Sequence, residues 1–183
     1  GSGTDTGARL LSMEAEKYVG KTLIINNLPG ADGKIGWTEL VRAKPDGRTI
    51  GFINLPTFMT LAAQPGAPFK VSQITPIANH LTETSVVVVK ADSPWKDIKS
   101  LVAAMKEKGN LRASTNGVKA SNHTAAQLFA KSAGAKYKAI PYGGTADQLL
   151  ALRQGEVHFT CAKVADVAKL VTGAKPELRV LVV

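Results

Sequence analysis

The sequence predicts an α/β protein of two lobes, each a mostly parallel sheet flanked by helices. Three observations carry that prediction. Short runs of Val, Ile and Leu, such as Leu23 to Asn26, Thr49 to Ile53 and Val86 to Val89, alternate with longer amphipathic stretches, which is the spacing of βα units. Gly-bearing turns such as Pro29-Gly30-Ala31-Asp32-Gly33 and Tyr142-Gly143-Gly144-Thr145 sit between strand and helix. The alternation then restarts beyond Lys90, which divides the chain into lobe 1 at 1–84 and lobe 2 at 85–183, with hinge strands near 82–92 and 178–183.

The elements follow in order. Thr4 or Asp5 caps a first helix that runs to about Tyr18, with Leu11, Ala15 and Tyr18 on one face and Gly20 as its stop. A strand is expected at Leu23 to Asn26, then the Gly loop, a helix from Lys34 to Ala43, and a strand at Thr49 to Ile53. Pro45-Asp46-Gly47 between them is turn chemistry, with proline presetting φ and glycine supplying a positive one. After the apolar stretch Phe58 to Ala63 and a loop at Pro65, Gly66 and Pro68, Thr75 to His80 and Ser85 to Lys90 read as strands. Four consecutive valines in the latter imply burial on both faces.

In the second series Ser93 caps a helix from Trp95 to Lys108, whose Ile98, Leu101, Val102 and Met105 follow helical spacing, with Gly109 after it. Strands are expected at Leu111 to Ser114, Tyr137 to Ile140, Val157 to Cys161 and Leu178 to Val183. Helices are expected from Ser121 to Ala133, from a Thr145 cap to Gln154, and from Ala165 to Val171.

Composition narrows the function classes. With 183 residues, 44% of them hydrophobic, the chain can bury a sizeable core. Its apolar runs are far shorter than the roughly 20 residues of a membrane span. No signal peptide is visible, which does not by itself make the chain cytoplasmic. The formal charge of +9 comes from lysines scattered over helices and turns with few aromatics beside them, a solvated surface rather than a nucleic-acid site. Cys161 is the single cysteine, in an apolar strand where it reads as a small buried hydrophobe, so there is no disulfide framework. His80, His123 and His158 lack metal-ligand spacing, and no loop carries a phosphate-binding lysine motif or a full dinucleotide fingerprint.

What remains is a set of small-residue loops that open helices: Gly3-Thr4-Asp5-Thr6, the loop holding Gly30, Ala31 and Asp32, and the loop holding Tyr142, Gly143, Gly144 and Thr145. A fourth, Ser114-Thr115-Asn116-Gly117, leads to Ser121 and His123. Backbone N–H groups and hydroxyls at helix N-termini cradle an anion without a paired cation, so an anionic small molecule is the expected ligand. Asp5 reads equally as a first-turn acid favoured by the helix dipole. His123 reads as a helix-start residue rather than a base, because Ser121, two positions away, lies on a different face.

The series Gly3-Thr4-Asp5-Thr6 with Ala8-Arg9, Asn27-Leu28-Pro29-Gly30-Ala31, Gly33, Ile35-Gly36 and Ala43-Lys44-Pro45-Asp46-Gly47-Arg48-Thr49 resembles the Bug family of tripartite tricarboxylate transporter receptors. Thr75-Pro76-Ile77-Ala78, Asp92-Ser93-Pro94, Gly117 with Ser121 and His123, Pro141-Tyr142-Gly143-Gly144 and Leu178-Arg179-Val180-Leu181-Val182 agree with it. The resemblance implies a two-lobed periplasmic-binding-protein type II fold whose first lobe is partial here, lacking its first strand and its C-terminal return. It implies a periplasmic receptor, signal peptide removed, or an extracytoplasmic membrane-associated one in a bacterium without an outer membrane. Such a receptor is not an enzyme and needs no cofactor. It captures a di- or tricarboxylate, an acidic amino acid or an aromatic acid and delivers it to membrane permease subunits.

The residues expected to hold the ligand are Thr4, Asp5, Gly30, Ala31, Asp32 and Thr57 in lobe 1 and Ser114, Asn116, Ser121, His123, Tyr142, Gly143, Gly144 and Thr145 in lobe 2. Ser2 and Asp32 stand where the family usually has glycine. An acid at 32 implies either a ligand bearing a positive group or a salt bridge to Lys34. Two other classes are weighed against the receptor: a ligand-sensing effector domain of a regulator, which would carry a DNA-binding segment, and a small enzyme, for which no acid–base pair stands out.

Overall fold

The computed structural model describes residues 3–182. The chain divides into two compact units, Gly1–Ala78 and Asn79–Val183, each with its own core.

The first unit holds α1 (Gly3–Val19), a 3-10 turn Ala31–Gly33 that runs directly into α2 (Lys34–Arg42), α3 (Thr57–Ala62) and a second 3-10 turn, Val71–Gln73. Its core is a small aromatic cluster of Trp37, Phe58, Leu61 and Phe69. Phe58 and Phe69 stack at 4.9 Å, and Trp37 meets Phe58 edge-on at 5.3 Å, the arrangements that ring quadrupoles favour. The Trp37 indole N–H donates to the Phe52 carbonyl at 2.9 Å, so its polar end is satisfied inside the cluster.

The strands expected at Leu23 to Asn26, Thr49 to Ile53 and Thr75 to His80 are not formed among the described residues, and neither is a first-lobe sheet. A strand needs a ladder to join, and these segments form none among the described residues: the Leu23 N–H donates to the Glu16 carboxylate at 2.8 Å rather than to a ladder. Ile24 is 90% and Ile77 79% exposed, so the apolar pattern that marks the segments as strands is uncovered.

The second unit is a five-stranded sheet in the order β3-β2-β4-β1-β5. Its strands are β1 (Ser85–Lys90), β2 (Arg112–Thr115), β3 (Lys138–Pro141), β4 (Phe159–Lys163) and β5 (Leu178–Val182). β2 pairs in parallel with β3 and β4, whereas β1 runs antiparallel to both β4 and β5. The sheet is therefore mixed, with one strand opposed to four.

Helices cover both faces: α4 (Ile98–Lys108) and α5 (Ser121–Ser132) on one, α6 (Thr145–Gln154) and α7 (Val164–Val171) on the other. The four valines divide as their alternation requires, Val87 and Val89 packing with Leu101, Met105 and Phe159, Val86 and Val88 with Leu152, Val167 and Leu178.

Several boundaries differ from the sequence reading. α4 is capped by Asp97, not Ser93, and begins at Ile98. The Asp97 carboxylate accepts from the Ser100 N–H at 2.7 Å, and the Ser100 hydroxyl accepts from the Asp97 N–H at 3.4 Å. That reciprocal pair satisfies two donors at once, which outcompetes a cap four residues earlier. Ser93 instead donates its hydroxyl to the Trp95 carbonyl. Thr145 is the first residue of α6 and Gly144 its cap, while Thr4 and Asp5 lie inside the first turn of α1.

Candidate functional site

In the second unit the parallel register brings Thr115 opposite Pro141, and the Tyr142 N–H donates to the Thr115 carbonyl at 2.8 Å. The loops after β2 and β3 therefore leave the carboxyl edge of the sheet side by side, and each opens a helix. Neither helix has a side-chain cap: α5 starts from Ala120 and α6 from Gly144. First-turn N–H groups without a capping side chain, at the positive end of a helix dipole, are an anion-binding arrangement. α5 has no acid in its first turn, whereas α6 carries Asp147 there.

Gly144 is backbone-extended at φ 178, and a Cβ built on it meets nothing within 4 Å. One built on Gly143 meets only the Asp147 carboxylate, at 3.4 Å. Neither conformation nor packing within the unit demands glycine at 144, so the absent side chain leaves room at the helix mouth. Thr145 and Ser121 are the first helical residues beside that mouth, and His123, in the first turn of α5, is 7% exposed. The Tyr142 hydroxyl donates to Glu156 at 3.1 Å, and burial first and then Glu156 raise its pKa.

Beneath these loops lies a buried polar relay that the sequence reading missed. The Ser114 hydroxyl, fully buried, donates to the Gln148 carbonyl at 3.0 Å and is thereby turned into the core. Gln148 Nε2 donates to the Cys161 carbonyl at 2.8 Å and to the Thr160 hydroxyl, which in turn donates to the Ser114 carbonyl at 2.8 Å. Because a carbonyl only accepts, the Gln148 amide is oriented, and its Oε1 accepts from Asn122 Nδ2 at 3.0 Å. The Asn122 Oδ1 is left as a buried acceptor with no protein donor, as are the Thr115 hydroxyl and the Asn116 Oδ1 at the end of β2. The sequence signal was available: Gln148 lies on the apolar face of α6 between Leu149, Ala151 and Leu152.

In the first unit the loops are tied to the start of α1. Asn54 Nδ2 donates to the Thr4 hydroxyl at 2.9 Å, just ahead of Thr57, which is 4% exposed at the first position of α3. Asp5 accepts from Asn27 Nδ2 at 2.8 Å and from Arg9 Nε at 3.0 Å, and these two bonds, Asn27 first, hold its carboxyl below the usual range. The 30–33 loop has positive φ throughout: Gly30 at 120°, Ala31 at 48°, Asp32 at 58° and Gly33 at 96°. Aspartate is among the few side chains that tolerate that region, which accounts for an acid where glycine is expected. Asp32 forms no ion pair among the described residues, with Lys34 or otherwise. A concavity of about 300 Å³ along α2 takes in Ala31, Lys34, Ile35 and Arg42 but no other expected ligand residue.

Cys161 is buried, which pushes its thiol up to about 12. Among the described residues no cluster of three or more His, Cys, Asp or Glu side chains could hold a metal, and no helix is long and apolar enough to cross a membrane.

Solved structures of periplasmic binding proteins share this fold. One described as a periplasmic transporter superposes with a TM-score of 0.85 at 23% identity, over 98% of this chain and 61% of its own. The structure described as R. palustris Rpa4515 with adipate gives 0.80 at 21%, over 98% and 60%. A TctC solute-binding protein from Polaromonas gives 0.69 at 28% identity, over 99% and 62%. Among curated sequences, a UPF0065 protein in the tcbD-tcbE intergenic region of Pseudomonas sp. (strain P51) is 30% identical over 91% of this chain and 50% of its own length. BugT of Bordetella pertussis is 26% identical over 86% and 49%.

The fold is thus that of the periplasmic solute-binding proteins. The tripartite tricarboxylate transporter family receptor (TctC) pattern matches residues 8–183, and the chain belongs to that family. It spans about half the length of the curated relatives it matches.

Proposed function

We propose that this chain supplies the ligand-binding loops of an extracytoplasmic receptor, periplasmic where there is an outer membrane, that captures a small organic carboxylate and releases it to membrane permease subunits without chemical change. The observation that supports this reading is the pair of helix N-termini, α5 and α6, opening without side-chain caps at the carboxyl edge of β2 and β3. Ligands of open α/β sheets are bound at that edge. Relatives point the same way: solved structures of similar fold are described with adipate and with bound malate.

In this reading residues 1–84 and 85–183 form the two lobes, with hinge strands near 82–92 and 178–183. Ser121, His123, Gly143, Gly144 and Thr145 present N–H and hydroxyl donors to one carboxylate, Tyr142, whose own N–H and hydroxyl are engaged with Thr115 and Glu156, lines it with its ring, and Asn116 and Ser114 shape the neighbouring loop. Thr4, Asp5, Gly30, Ala31, Asp32 and Thr57 are the ligand residues of the first unit. Asp32, half-buried and unpaired, receives a ligand ammonium when the acid is an amino acid.

A thermal-shift screen of the protein with di- and tricarboxylates, acidic amino acids and aromatic acids tests this. At a ligand concentration of about 100 times Kd the folded state gains about 2.7 kcal/mol by mass action. A ligand-specific rise in Tm that Gly144→Val removes, with the unliganded Tm unchanged, is the expected result. No shift with any acid from a folded protein would sink the carboxylate reading, and conversion of an acid to a product would replace it with an enzyme.

A further inference from the structure

The opposite edge of the same sheet carries a charge pattern that ligand capture does not use. Lys106 and Lys108 end α4, Arg112 and Lys138 begin β2 and β3 as register partners, and Lys131 and Lys136 lie at the end of α5 and in the loop that follows. All six are exposed, and none takes part in an ion pair among the described residues, whereas Lys90 and Arg153, toward the β1 and β5 end of the same edge, are paired with Asp92 and Glu177.

The acids near these cations in the chain are Glu107, beside Lys106 in α4, and Glu156, which is engaged with the Tyr142 hydroxyl; Asp92 and Glu177, farther along the same edge at the ends of β1 and β5, are occupied by Lys90 and Arg153. Lys106, Lys108 and Lys131 in part answer the negative ends of their helices. Arg112, Lys136 and Lys138 have no such reason. The field they make is felt within the protein: His158, whose Nδ1 accepts from the Arg112 N–H at 2.9 Å, has its pKa lowered by burial first and then by Arg112 and Lys108.

We propose that this edge, the amino ends of β2 and β3 with the α4–β2 and α5–β3 loops, is a docking surface for anionic phospholipid headgroups. A lipid surface fits better than an acidic protein. No large hydrophobic residue is exposed within 106–112 or 131–138, so the patch lacks the aromatic or aliphatic anchors on which protein interfaces concentrate their energy. Five of the six cations are lysines, mobile point charges suited to a diffuse headgroup layer rather than to bidentate recognition. Its place on the edge away from the α5 and α6 N-termini leaves the ligand loops clear of the lipid.

Co-sedimentation with phosphatidylglycerol-containing vesicles, against pure phosphatidylcholine vesicles, tests the proposal. The protein is expected to pellet with the anionic vesicles only, and added salt is expected to release it. Each lysine near such a surface is worth about fivefold in affinity, so Lys136→Gln with Lys138→Gln is expected to weaken binding roughly 25-fold. Lys44→Gln with Lys70→Gln, on the other unit and with the same change in net charge, is the control and is expected to change binding little. Equal losses from the two double variants, or no preference for anionic over neutral vesicles, would overturn the assignment. All four positions are exposed, and an unchanged Tm in each variant separates loss of binding from loss of fold.

Discussion

Gly33 and Gly144 stand in loops of similar composition and answer to different constraints. Gly33 has φ +96, and a Cβ there would lie 3.1 Å from the Trp37 ring. Gly33→Ala is therefore expected to cost about 1–2 kcal/mol in urea denaturation, from left-handed strain and contact with the aromatic core. Gly144→Ala should leave stability within about 0.5 kcal/mol, as befits a surface position.

Tyr137 is packed edge-on against Phe159 with its hydroxyl buried and unpartnered, and burial raises its pKa to about 12. Tyr137→Phe removes the unsatisfied group and is expected to raise stability by about 1 kcal/mol, read by the same denaturation. Two acids should respond oppositely to pH. Asp5 has a lowered pKa, so its contribution is present above 3.8 and is lost as pH falls through the lower folded value; the deficit of an Asn27→Ala variant should shrink in acid. Asp166, raised by burial first and by Glu83 as well, contributes below 3.8 and loses that contribution as pH rises through its folded value. Asp166→Asn should raise Tm at neutral pH and leave it unchanged at low pH.

At the scale of elements, the helix ends and the polar relay carry separable energies. Asp97→Ala removes the reciprocal cap of α4 and should cost about 1 kcal/mol. Gln148→Leu should cost more, about 1–3 kcal/mol for each buried group left without its partner, because the Cys161 carbonyl and the Asn122 amide both lose one. Chemical denaturation of the two variants gives the order, and a Gln148→Leu protein as stable as the parent would show that the relay is not satisfied by Gln148.

Helices were legible here because their signals are local: Gly109 after Met105 and the spacing of Ile98, Leu101 and Met105 mark α4 without reference to any other segment. Ser93 was misread as its cap because a Ser-Pro start looks sufficient until Asp97 and Ser100 are seen to satisfy each other.

Taken as a whole, the molecule has two units with unequal means of support. The second has a five-stranded ladder and cores on both sheet faces; the first has four buried aromatic and aliphatic side chains in its cluster and no ladder among the described residues. Amide hydrogen exchange should accordingly be faster throughout 21–30 and 49–54 than in β1 and β4, and limited proteolysis should cut the first unit before the second. Equal protection in the two units would contradict this ordering.

By itself the sequence determined the order of the helices other than α3, which it showed only as an apolar stretch, the two-faced burial of Val86 to Val89, the inert placing of Cys161 and the family, since these depend on periodicity, on composition or on motifs that neighbours in the chain define. Only the tertiary structure decided that β1 opposes the other strands, that Leu23 to Asn26 and Thr49 to Ile53 go unpaired, and that the Ser114 hydroxyl points into a relay with Gln148. The reason is common to all three: a ladder direction, a strand's existence and a buried hydrogen bond are each defined by a partner remote in sequence, which no local pattern names.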